Sequence, residues 1–124
     1  MKLHELILEY NSNPFVAIVS SIDLKIKEID LMISSNSTSL IFLSSMEQQL
    51  MNLKKFIISS KNWNIPENNL KKDFHNMIPI VLNQIKLAIE KINEKSFNNA
   101  KIHLLNSMNI AIKYSNLKFG DINE

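Results

Sequence analysis

Residues 14–34 read PFVAIVSSIDLKIKEIDLMIS, and Phe15, Ile18, Ile22, Ile26, Ile29 and Ile33 fall in it at intervals of 3-4-4-3-4. Side chains three and four apart share one face of an α-helix, so these six make a continuous apolar stripe. Asp23, Lys27 and Asp30 lie off it. A half-buried strand needs apolar residues at every second position instead. Asn13 can cap the start. Pro14 suits a first helical position, where its missing N–H has no intrahelical partner to lose. The spacing predicts a helix over Pro14–Ser34.

The same periodicity recurs outward from this helix. Before it, Leu3, Leu6, Ile7 and Tyr10 mark a short helix over Lys2–Tyr10, stopped by Asn11-Ser12-Asn13-Pro14. After it, the polar run Ser34–Ser39 reads as a turn full of capping residues. Leu43, Met46, Leu50, Leu53 and Ile57 then step 3-4-3-4, a coiled-coil-like seam in a helix over Leu40–Ser59. Phe42 and Phe56 widen its face. Ser60–Asn69 has no periodicity and reads as a loop about ten residues long, near the upper end for a bundle connection.

A further stripe of Leu70, Phe74, Ile78, Val81, Ile85, Ala88 and Ile92 predicts a helix over Glu67–Asn93. Pro79 lies inside it. Proline removes one backbone hydrogen bond and disfavours α geometry at the preceding residue, so a kink or break is expected near His75–Ile78. Glu94-Lys95-Ser96 makes a tight turn with Ser96 as the candidate cap. The last helix, over Phe97–Lys118, is apolar on two sides. Phe97, Ala100, Leu104, Met108 and Ala111 form one face, and Ile102, Leu105 and Ile112 the other. Such a helix is central in its bundle or carries a spare face for a partner, a second copy included. The Leu43–Ile57 seam offers another route to a homodimer. Gly120 is a candidate C-cap, with Asp121–Glu124 fraying beyond it.

With one glycine and three prolines in 124 residues, the turn chemistry of a sheet protein is missing. The expected fold is all-α: a single domain over residues 1–124, built as an antiparallel bundle of four long helices plus a short N-terminal one. Met32, Met46, Met51, Met77 and Met108 lie on or beside the stripes and read as core filling.

Composition narrows function mainly by exclusion. No cysteine occurs, which removes disulfides, zinc fingers, iron–sulfur ligation and thiol nucleophiles. All 14 basic residues are lysine, so there is no guanidinium fork for phosphate or carboxylate and no arginine finger. With 17 asparagines as well, the usage suggests an AT-rich coding genome. Phosphate-cradling loops need clustered glycines, and Gly120 stands alone. Neither a His-x-x-x-His pair nor the Glu-x-x-His of di-iron bundles is present. The arginine and nearby histidine of HEPN-type ribonucleases are missing too. His4, His75 and His103 fall in three different predicted helices, so no metal or other cofactor is expected. The N-terminus has acids too early for a secretory signal, and no apolar run could span a bilayer. An intracellular, cytoplasmic location is expected.

Charge supplies the one positive feature. Residues 1–53 hold three lysines against six acids, and residues 54–124 eleven lysines against six acids. The excess gathers around the irregular loop as Lys54, Lys55, Lys61, Lys71 and Lys72, with Glu67 the lone acid between them. In its middle stands Trp63, the sole tryptophan. Three readings compete for this region: a solvated bundle end with Trp63 folded back on the core, a docking surface for an acidic protein, or a contact for nucleic-acid backbone. A net charge of +2 argues against the last, because dedicated nucleic-acid proteins are usually far more basic. The expectation is a non-enzymatic protein-interaction module, such as an immunity or inhibitor protein, a chaperone or a regulatory adaptor. A small nucleic-acid-binding subunit is the alternative, and a ligand- or metal-binding bundle enzyme the third reading.

Overall fold

A computed structural model describes residues 14–35, 40–65 and 68–115. Among them lie four α-helices and one 3₁₀ turn, with no strand: α1 (Pro14–Ser35), α2 (Leu40–Ser59), the turn Ser60–Asn62, α3 (Asn68–Asn93) and α4 (Phe97–Ser115). The all-α reading therefore holds. The short helix expected over Lys2–Tyr10, the Asn13 cap, the Gly120 cap and the fraying C-terminus lie outside the described residues.

Each stripe becomes a buried face. Phe15, Ile18, Ile22, Ile26 and Ile29 of α1 meet Met46, Leu50, Leu53 and Ile57 of α2, with Phe74, Ile78, Val81, Ile85, Ala88 and Ile92 of α3, in one core. The helix α4 lies against both α3 and α1, α3 also packs on α2, and α1 meets α2 less extensively. Neighbours run antiparallel. Lys101 near the start of α4 pairs with Asp30 near the end of α1. Phe56 near the end of α2 reaches, through Trp63, Phe74 near the start of α3.

Two sequence expectations change. The helix α3 runs unbroken through Pro79, without the break expected near His75–Ile78. Proline at 79 deprives the His75 carbonyl of its donor, and both His75 and Pro79 face solvent, where water can replace the lost bond. Met77 and Ile78, fully buried beside them, hold the segment on the core. Packing thus outweighs the local preference of the residue before proline. The seam Leu43–Ile57 is also unavailable for pairing two subunits, since Met46, Leu50, Leu53 and Ile57 are buried within the bundle. The second face of α4 is mostly occupied likewise. Leu105 and Ile112 pack half-buried against the core, and only Ile102 is well exposed.

The α3–α4 turn shows why Glu94-Lys95-Ser96 stops a helix. Lys95 adopts φ 61°, the left-handed region. Its N–H donates to the Ile92 carbonyl at 2.9 Å, and the Ser96 N–H to the Lys91 carbonyl at 2.8 Å. This is a Schellman ending, built on lysine where glycine is usual. The Ser96 carbonyl accepts the first bond of α4, from the Ala100 N–H at 3.0 Å. Its hydroxyl accepts a hydrogen bond from the Asn99 side-chain amide at 2.7 Å rather than from a backbone N–H.

Candidate partner-binding surface

The lysine–tryptophan region forms one end of the bundle. At the close of α2, the Ser59 and Ser60 hydroxyls donate back to the Phe56 and Ile57 carbonyls. They satisfy two groups that the helix end would leave open. The chain tightens into the 3₁₀ turn and leaves it extended at Trp63, with φ −66° and ψ 141°. The Trp63 N–H donates to the Ser60 carbonyl at 3.1 Å. Ile65 then buries its side chain in the core.

Trp63 is half-buried. Its ring stacks on Phe74 at 5.8 Å between centroids, with planes 21° apart. It meets Phe56 edge-on at 5.5 Å, and Phe74 in turn meets Phe15 edge-on at 5.3 Å. Four aromatic rings from α1, α2, the loop and α3 therefore pin the irregular stretch to the bundle. Such pairs contribute about 0.5–1.5 kcal/mol each beyond the area they bury. The structure thus places Trp63 folded back on the core. Phe56 and Phe74 are the supporting residues that sequence reading missed in this role: both are visible as stripe members, but their meeting depends on how separate helices pack.

The lysines are arranged differently. Lys55, Lys61, Lys71 and Lys72 are exposed and Lys54 is half-buried. None of the five forms an ion pair with another described residue; the pairs present are Lys25–Glu28, Lys27–Asp23, Lys91–Glu94 and Lys101–Asp30. Lys71 and Lys72 stand in the first turns of α3, which have no acid among their first residues. The positive end of the helix dipole lies at Asn68, three and four residues before these exposed cations.

The two described histidines, His75 and His103, do not converge. Among the described residues no group of three His, Cys, Asp or Glu side chains could hold a metal ion. His75 is exposed on α3, whereas the half-buried His103 on α4 sits 2.9 Å from Gln84 Oε1 through Nδ1. Gln84 lies nine residues along α3 from His75, about 13 Å at helical rise. His4 lies outside the described residues. Among the described residues two polar side chains are fully buried, Ser60 and Ser107, and both hydroxyls donate to carbonyls three residues back. No described helix is long and apolar enough to cross a membrane. No protein-family model, curated protein or solved structure matches the chain.

Proposed function

We propose that this chain is a non-enzymatic interaction module that docks an acidic protein on the lysine-rich end of its bundle. The observation that carries the reading is the cluster of five lysines without ion-pair partners among the described residues. Exposed cations of one sign steer a complementary partner and set its on-rate. Lys61, Lys71 and Lys72 are the principal contacts, with Lys54 and Lys55 extending the field along α2. Trp63 holds the platform in shape and offers its accessible edge. Inhibition, chaperoning and adaptor roles all suit a module of this kind, working in the cytoplasm. Nucleic-acid backbone is the second reading favoured by the same lysines. Against it, Trp63 turns a ring face to Phe74, which hinders its use as a base-stacking platform.

The test is affinity capture from the native host, followed by mass spectrometry, with the wild type beside a Lys61→Glu, Lys71→Glu, Lys72→Glu variant. These side chains are exposed, so helical circular dichroism stays unchanged. The expected result is an acidic protein captured by the wild type and lost with the variant. Capture indifferent to the three reversals overturns the proposal. Oligonucleotide binding that falls steeply with salt supports the second reading instead.

A further inference from the structure

We infer that the outward face of α2 pairs with the same face of a second copy, antiparallel, in a two-fold dimer. Ile41, Ser44, Gln48, Met51, Lys55 and Ile58 step 3-4-3-4-3 along α2, and all six are exposed. These positions share one face of the helix, opposite the buried seam, apolar at Ile41, Met51 and Ile58 and polar at Ser44, Gln48 and Lys55. Ile41 is 79% exposed, Ile58 42% and Met51 39%, with Leu40 at 77% beside them. Leu40, Ile41, Ser44, Ser45 and Gln48 line an open groove on this face.

Register and charge select the occupant. A two-fold interface must be complementary to itself. Antiparallel pairing about the midpoint of α2 sets Ile41 against the partner's Ile58, Ser44 against the partner's Lys55 and Gln48 against the partner's Met51. Every layer occurs twice. The apolar contacts close both ends of the seam, and the aliphatic stem of the partner's Lys55 lies in the groove between Ser44 and Ser45 with its ammonium at the rim. Glu47, flanking the stripe, faces the partner's Lys54. Parallel pairing instead opposes Lys55 to its own copy and leaves Glu47 with no lysine across from it, so the charges favour the antiparallel direction. The dimer extends beyond the partner-binding reading. It shares Lys54 and Lys55 with that surface, whereas Trp63, Lys61, Lys71 and Lys72 lie past the ends of the seam.

Sedimentation velocity of the full chain over a micromolar concentration series tests the proposal. The expected result is a concentration-dependent dimer, weakened about tenfold or more by Ile41→Glu with Ile58→Glu. Glu47→Lys alone weakens it too, and Glu47→Lys with Lys54→Glu restores it. The chain has no cysteine of its own. An equimolar mixture of the single variants Ile41→Cys and Ile58→Cys should therefore cross-link on oxidation more efficiently than either variant alone. A monomer at every concentration overturns the proposal. So does a dimer indifferent to the isoleucine reversals, or one that the double charge swap fails to restore. Lys61→Glu, which tests partner capture, leaves the dimer unchanged, so failure of either reading is distinguishable from failure of the other.

Discussion

Trp63 shows what a single residue can and cannot reveal. Its position in a basic loop is legible in the sequence, and folding back on the core is one of the readings that follow. Its neighbours are not legible, because Phe15, Phe56 and Phe74 come from three helices that meet only after packing. The stacking makes a definite expectation. Trp63→Ala should lower unfolding free energy by about 2 kcal/mol, less than for a fully buried ring because Trp63 is half-buried. Urea denaturation checks this; a change under about 0.5 kcal/mol would mean that the ring does not hold the loop. Lysines present the opposite case. Their clustering was readable from charge alone, but their lack of ion-pair partners among the described residues needed the fold.

At the scale of elements, stripes of period 3.6 predicted the helices well. The span Leu40–Ser59 was read to its observed limits, and Pro14–Ser34 fell one residue short of Ser35. Both follow from strong punctuation: a proline that suits helix entry, and serine-rich runs that compete for backbone bonds. Pro79 misled because its local effect is real but its setting is tertiary. The helix continues because the affected turn faces water while Met77 and Ile78 are anchored below. The helix bond that proline removes should be recoverable. Pro79→Ala, at an exposed site with a helical backbone, should raise stability by about 2–3 kcal/mol, read as a shifted urea midpoint at constant m-value. A neutral or destabilising result would show that the proline is accommodated without loss. The two-sided apolar pattern of α4 likewise resolves into contact with α1 and α3 at once. The fully buried Ser107 on its inner face, close to Ala100 and Ala111, was not foreseen.

For the whole molecule, the four described helices form one core, and the charges divide by end. The C-terminal end of α2 and the N-terminal end of α3 carry the lysines, whereas Asp23, Glu28 and Asp30 lie along α1 with lysines paired to them. That asymmetry underlies the proposed docking of a partner, and the exposed outer face of α2 underlies the proposed dimer. The lysine cluster was legible in the sequence, which placed self-association on other faces because a stripe cannot say which of its sides the fold will cover. The central claim, that the lysine-rich end is where a protein partner docks, is tested most directly by amide hydrogen exchange of the chain free and in complex with the captured partner. The account predicts new protection over residues 54–65 and 68–75, with exchange elsewhere unchanged. Protection confined to α4, or none over the lysine-bearing segments, would contradict it.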